Sequence, residues 1–150
     1  MTESDRLRIV RRFDVPPRSV FDAFTEPGAM RVWWTPDTVF DLDVRVGGRW
    51  RITRRDGDET LVMEGAYLEV EPPTRLRFTI AMPQFSAAAD EISLSVVPDG
   101  GGCVATFEQS GTGIADELRA LPAGATSASE AGWQQGFDLM EAAWRSRHDA

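Results

Sequence analysis

The 150-residue sequence is poor in the residues on which most hydrolases and metalloenzymes depend. Cys103 is the single cysteine, so an intramolecular disulfide cannot form and a zinc site built from several thiolates is excluded. His148 is the single histidine, and it lies two positions before the last residue of the sequence, where chains often fray. We therefore expect no metal site, no cofactor and no catalytic triad, and we predict that the protein is not an enzyme.

The sequence also lacks lysine and long hydrophobic runs. It contains no apolar run of about 18 residues, the length at which a segment is a candidate to span a bilayer, so we expect no membrane association. Residues 1–5 are polar and acidic and do not resemble a signal peptide, which predicts a cytoplasmic protein. All 16 basic residues are arginine, and the net charge of −8 opposes binding to nucleic-acid phosphates.

The remaining composition is typical of a globular protein. The hydrophobic fraction is 42% and the charged fraction is 27%, which argues against general disorder. A chain of this length is able to bury a substantial core. We therefore predict one domain that spans residues 1–150.

The first quarter of the chain predicts a strand and two short helices. Apolar residues alternate with polar ones over residues 6–15, as in a half-buried strand. The pair Pro16-Pro17 interrupts the strand and is suited to opening a helix, which we expect at residues 19–24. Pro27 opens the second short helix.

The rest of the chain predicts a series of strands followed by one long helix. Alternating segments follow one another from residue 38 to residue 109, separated by short turns rich in glycine or proline, which indicates an antiparallel meander. Residues 111–128 are expected to form a long loop with one helical turn. The terminal helix is predicted by an apolar stripe at the helical period, formed by Trp133, Phe137, Met140 and Trp144. These elements predict an α+β fold in which a curled antiparallel sheet of six to seven strands wraps around the C-terminal helix.

Five segments of the chain form a pattern known from one protein family. They are, in order, RRFDVP with VFDAFTEP (11–27), WWTP (33–36), DVRVGGRW (43–50), GAYLEVEP with RL (65–76) and GW (132–133). This pattern resembles the START-like superfamily, also called SRPBCC, helix-grip or Bet v 1-like. Within it, the chain is similar to homologues of the activator of heat-shock protein 90 ATPase.

The resemblance implies a function but leaves alternatives open. Relatives bind lipids, polyketides or other small apolar or aromatic molecules between sheet and helix, so a small hydrophobic ligand is the expected partner. A co-chaperone-like module that binds a protein partner is the second possibility, and a cyclase or hydrolase is the third. Many relatives end the last strand with a histidine where this chain has Glu108-Gln109, so we expect no role that needs an imidazole there.

Aromatic residues and methionines are the side chains that we expect to line such a cavity. Aromatic rings offer a large apolar contact area, and methionine adapts to different shapes. A filled core is the alternative role for each of them. The predicted lining residues are Trp34, Phe40, Met63, Tyr67, Phe78, Ile80, Met82, Trp133, Phe137 and Met140.

The polar candidates for the cavity are Arg11, Glu69, Thr106, Glu108 and Gln109. Arg11 falls on the apolar side of the first strand, and a buried guanidinium requires a carboxylate, for which Glu69 and Glu108 are the candidates. A structural ion pair and an anchor for a ligand carboxylate or phenolate are both consistent with this position. Thr106 and Gln109 are expected to orient a ligand, and Glu108 is the candidate general base of the enzyme alternative.

Overall fold

The computed structural model describes residues 5–84 and 88–149, apart from the side chains of residues 56 and 147–149. The acidic start at residues 1–4 and the side chain of His148 therefore lie outside the described residues. The strands are β1 (Leu7–Phe13), β2 (Val39–Leu42), β3 (Arg49–Asp56), β4 (Glu59–Glu71), β5 (Arg75–Ala81), β6 (Ala89–Asp99) and β7 (Gly102–Ser110). The helices are α1 (Pro17–Thr25), α2 (Pro27–Met30), α3 (Thr112–Arg119) and α4 (Ala128–Asp149).

The seven strands form one curled sheet in the order β1-β7-β6-β5-β4-β3-β2. Every neighbouring pair is antiparallel. From β2 to β7, each strand pairs with the next strand in the chain. The exception is β1, which pairs with the last strand, β7. The predicted α+β fold, with six to seven antiparallel strands and a long C-terminal helix, is confirmed.

The helices begin where the sequence favours them, with one difference. Proline lies at the start of both α1 and α2, where its missing N–H is not needed by the helix. Between residues 111 and 128 the structure contains the eight-residue helix α3, where a loop with a single helical turn was expected. The backbone N–H groups of Gly113 and Ile114 donate to the carboxylate of Asp90, at 3.0 and 2.9 Å. Asp90 lies on β6, so this helix start is stabilised by a residue distant in the sequence.

One end of the sheet is filled by aromatic side chains between β1 and α4. The ring of Phe13 lies 5.9 Å from that of Phe137 and 5.4 Å from that of Trp144. Phe13 and Phe137 are each 1% exposed, so both rings belong to the packed core. We call this part of the molecule, formed by Phe13, Phe137 and Trp144, the closed end.

None of the helices among the described residues combines the length and the apolar content needed to cross a membrane.

Candidate ligand-binding site

An apolar pocket lies on the inner face of the sheet, bounded by β2 to β5, the short helices and α4. Its walls consist of twelve apolar or aromatic side chains. They are Phe24, Met30, Trp33, Trp34, Leu42, Trp50, Ile52, Met63, Tyr67, Phe78, Ile80 and Trp133. The elements that carry them are distant in sequence, so the pocket exists only in the folded chain.

The pocket is narrow and partly open to solvent. Its cavity volume is about 30 Å³, which is enough for one or two water molecules. Six of its lining residues are buried and six are half-buried. The half-buried residues are Trp33, Trp34, Leu42, Met63, Ile80 and Trp133.

Four tryptophans border the pocket, and their indole N–H groups differ in hydrogen bonding. Three of them donate to protein oxygens: Trp33 to the carbonyl of Ala23 (2.8 Å), Trp50 to the carbonyl of Thr79 (3.0 Å) and Trp133 to Oε1 of Gln109 (2.9 Å). The Nε1 atom of Trp34 is buried and has no partner among the described residues. Buried donors are rarely left unpaired, so Trp34 differs from the other three in a way that packing alone does not explain.

Arg54 lies beside Trp34 and shares this property. Its guanidinium carbon is 6.0 Å from the centre of the Trp34 ring, and its Nε atom is buried without a partner among the described residues. Trp50, Ile52 and Arg54 alternate along β3, which places the three side chains on the same inner face. Arg54 is therefore the next inward-facing residue of β3 after the pocket residues Trp50 and Ile52.

Tyr67 contributes the phenol of the pocket. It is 3% exposed, and its ring meets that of Phe78 edge-on at 6.4 Å. Burial and then the nearby charge of Asp43 raise the pKa of Tyr67 well above its usual value. The phenol therefore remains neutral and able to donate a hydrogen bond at physiological pH.

Ten residues were predicted to line the cavity, and the structure places six of them around this pocket. These six are Trp34, Met63, Tyr67, Phe78, Ile80 and Trp133. Phe40 and Met82 lie outside the lining, although the Phe40 ring meets that of Trp34 edge-on at 6.2 Å. Phe137 and Met140 also lie outside it, and both are part of the buried core, where each is 1% exposed.

Arg11 was placed correctly on the inner face, but its predicted partners were wrong. Its guanidinium donates to Asp138 at 2.8 Å and to Glu141 at 3.1 Å, both on α4. Gln134 accepts a further hydrogen bond at 3.1 Å. The Arg11 side chain is 20% exposed, and these contacts fix it against the helix at the closed end.

Glu69 is kept away from the inner face by a β-bulge. The pairing of β4 with β5 shifts between Tyr67 and Glu69, so that Glu69 no longer shares the side of Tyr67. Its carboxylate instead bonds Arg75 at 3.2 Å and lies 3.7 Å from Arg77. A hydrogen bond with Glu71, followed by these arginine contacts, lowers the pKa of Glu69 below its usual value.

The polar residues of β7 lie on two faces. Thr106 is paired with the exposed Val10, and Glu108 forms an ion pair with Arg8, so both differ from the prediction and face outward. Gln109 is buried, and its side chain joins two groups. Its Oε1 accepts a hydrogen bond from the Trp133 indole, and its Nε2 donates one to Oδ2 of Asp90, each at 2.9 Å. These two hydrogen bonds connect the pocket wall to the start of α3.

Six lining residues and Arg54 were not predicted from the sequence. The missed lining residues are Phe24, Met30, Trp33, Leu42, Trp50 and Ile52. The inward positions on β3 could have been found from the sequence, because Trp50, Ile52 and Arg54 occupy every second position of the strand. Trp33 and Trp34 both border the pocket. The sequence could not show this, because both residues lie on a segment too short to define an inner face.

Cys103 is buried, and burial raises the pKa of its thiol. Within the described part of the chain, no three acidic, histidine or cysteine side chains are grouped closely enough to hold a metal ion.

Comparisons with known proteins agree with the fold. Residues 14–145 match the family model described as "Activator of Hsp90 ATPase homolog 1-like protein". Among solved structures, a protein from Rhodobacter sphaeroides has a TM-score of 0.77 at 19% identity, and the match covers 96% of this chain and 95% of that one. A protein from Nitrosomonas europaea has a TM-score of 0.76 at 19% identity, with 100% of both chains covered.

A third structure, from Chromobacterium violaceum, has a TM-score of 0.72 at 24% identity and covers 91% of this chain and 95% of that one. No curated protein matches the sequence. These structures share the fold. Because the family model covers most of the sequence, the chain belongs to the Activator of Hsp90 ATPase homolog 1-like family.

Proposed function

We propose that the protein binds a small apolar or aromatic molecule in the pocket between the sheet, the short helices and α4. The observation that carries the proposal is the lining itself, which consists entirely of apolar and aromatic side chains and includes four of the five tryptophans. Such walls are typical of sites that take apolar ligands, because they offer a large contact area and few competing polar groups.

The size of the pocket determines how a ligand would enter it. The cavity of about 30 Å³ is far smaller than the roughly 300–1,000 Å³ of sites for drug-sized molecules. A ligand must therefore displace side chains. Met30 and Met63 are suited to this, since methionine is unbranched and changes rotamer easily. We expect binding to widen the pocket at its half-buried side, where Met63 and Trp34 lie.

The proposal is tested by tryptophan fluorescence and thermal unfolding with a panel of fatty acids, flavonoids and polyketides. Four tryptophans at the pocket make the emission sensitive to a ligand there. A ligand at 100 times its dissociation constant raises the free energy of unfolding by about 2.7 kcal/mol. We expect at least one compound class to give saturable changes in both measurements.

A pair of methionine variants tests whether the pocket is the site. Met63→Trp fills the pocket and should abolish the saturable response. Met82→Trp introduces the same side chain at another half-buried methionine outside the lining, and should leave the response intact. Equal loss in both variants, or no saturable compound for the folded protein, would contradict the proposal. In the second case the protein-interaction alternative would take its place.

A further inference from the structure

Two unpaired donors belong to neighbouring side chains at one side of the pocket, Trp34 in its wall and Arg54 beside it. Trp34 Nε1 and Arg54 Nε are the two buried side-chain nitrogen or oxygen atoms that lack a hydrogen-bond partner among the described residues. They belong to side chains in contact, since the Arg54 guanidinium lies over the Trp34 ring at 6.0 Å. Both atoms donate and neither accepts, so a group that satisfies them must be an acceptor.

The charge at this position is also unbalanced. Among the described residues Arg54 has no carboxylate within ion-pair distance, although the chain carries a net charge of −8. Arg31, Arg49 and Arg55 have none either, but these side chains are exposed and water solvates them. Arg54 is half-buried, where an uncompensated guanidinium is unfavourable.

A second arginine borders the same aromatic pair. The Arg31 guanidinium lies over the Phe40 ring at 5.1 Å, and Phe40 meets Trp34 edge-on. Arg31 donates to the carbonyl of Thr38 at 3.4 Å and has no acidic partner among the described residues. Each ring of the Trp34–Phe40 pair thus has a guanidinium over it, and neither guanidinium has an acidic partner among the described residues.

We propose that the ligand is an amphipathic carboxylate. Its apolar body occupies the pocket, and its carboxylate accepts hydrogen bonds from Arg54 and from the Trp34 indole. Two carboxylate oxygens match the donor geometry of a guanidinium and leave a lone pair for the indole. A neutral acceptor would satisfy Trp34 but would leave the charge of Arg54 unbalanced. This inference rests on the proposed function and adds the chemical class of the ligand.

The test compares acids with their uncharged esters. Decanoate and 2-naphthoate are titrated against the protein beside their methyl esters, with tryptophan fluorescence and calorimetry as readouts. We expect each acid to bind about ten- to a hundredfold more tightly than its ester, as for hydrogen bonds to a charged group. We also expect the preference for the acid to weaken as salt is added.

Matched variants assign the preference to its residues. Arg54→Met removes the cation while keeping a side chain of similar length, and should reduce the acid-over-ester ratio to near one. Arg55→Met, at the exposed neighbouring position, should leave the ratio unchanged. Trp34→Phe keeps an aromatic ring without the N–H, and should weaken acid binding by a smaller factor.

The outcomes separate this inference from the proposed function. Equal binding of acids and esters to the unaltered protein would overturn the inference and leave the apolar site standing. A preference that persists in Arg54→Met would also overturn it. Absence of binding for both compound types would overturn the inference and the proposed function together. Melting temperatures of all three variants establish that they are folded.

Discussion

Two arginines face the interior of the sheet, and their surroundings are opposite. Arg11 lies at the closed end, where Asp138, Glu141 and Gln134 accept its hydrogen bonds. Arg54 lies beside the pocket and has neither a carboxylate nor any other hydrogen-bonded partner among the described residues. The same residue type is therefore part of the framework at one end and an unpaired cation at the other.

The packing around the two arginines differs in the same way. At the closed end, the rings of Phe137 and Trp144 lie within 5.9 Å of the Phe13 ring, between sheet and helix. At the pocket, half of the lining side chains are only half-buried and a cavity remains. The unpaired donors Trp34 Nε1 and Arg54 Nε therefore lie at the less tightly packed side of the molecule, which is the side suited to a ligand.

The largest difference between the closed end and the pocket is expected in the free energy of unfolding when the charge of Arg11 or of Arg54 is removed. Arg11→Met leaves two carboxylates without their cation, and should lower the free energy of unfolding by about 1–2 kcal/mol, since the pair is partly exposed. Arg54→Met removes an unpaired cation and should instead raise it, by up to about 1 kcal/mol. Urea unfolding measures both. Destabilisation of similar size in the two variants would show that Arg54 is held as firmly as Arg11.

A smaller effect is expected from two glycines four residues apart on α4. A Cβ atom at Gly136 would lie 2.8 Å from Cε3 of Trp33, whereas one at Gly132 would meet nothing within 4 Å. Trp33 is fixed by its hydrogen bond to Ala23. Gly136→Ala should therefore lower the free energy of unfolding by about 1 kcal/mol, because the clash outweighs the gain in helix propensity. It should also push Trp33 toward the pocket.

Gly132→Ala is the control for this substitution, because it gains helix propensity without a clash. It should raise the free energy of unfolding by up to about 1 kcal/mol. The comparison is made by urea unfolding and by decanoate titration of both variants. Weakened binding in Gly132→Ala but not in Gly136→Ala would contradict the placement of Trp33 at the pocket wall.

The smallest effect concerns alkaline pH. Because burial raises the pKa of Tyr67 above its unfolded value of about 10, the unfolded chain releases the phenolic proton first as the pH rises. The free energy of unfolding should therefore begin to fall as the pH approaches 10, with a loss of about 0.4 kcal/mol at pH 10 itself. Tyr67→Phe should remove this part of the decline, while the contribution of Cys103 remains in both proteins. Parallel profiles between pH 8 and pH 11 would contradict the burial of the phenol.

Much of this architecture is predictable because it depends on periodic patterns. The α4 stripe of Trp133, Phe137 and Met140 and the alternation in β5 and β6 follow from which positions face the core. The eight-residue helix α3 was harder to predict, because the carboxylate that stabilises its first turn belongs to Asp90 on β6. Patterns therefore predict which elements form, and distant contacts determine where some of them begin.

The polar partners could not be predicted in the same way. Arg11 bonds residues more than 120 positions away, and the side of Glu69 is reversed by one bulge that no local signal marks. The inward position of Arg54 was visible from its alternation with Trp50 and Ile52. The lack of a partner for Arg54 became evident only from the fold, because it depends on which side chains lie opposite.

The most direct test of the central claim uses the methionine methyl groups as position markers. Methyl NMR spectra of protein labelled with [methyl-¹³C]methionine are recorded during a titration with decanoate. Met30 and Met63 line the pocket, whereas Met82 and Met140 do not. We predict saturable shifts for Met30 and Met63 and unchanged signals for Met82 and Met140. Shifts confined to Met82 or Met140, or no saturable shift at any of the four, would contradict a ligand site in this pocket.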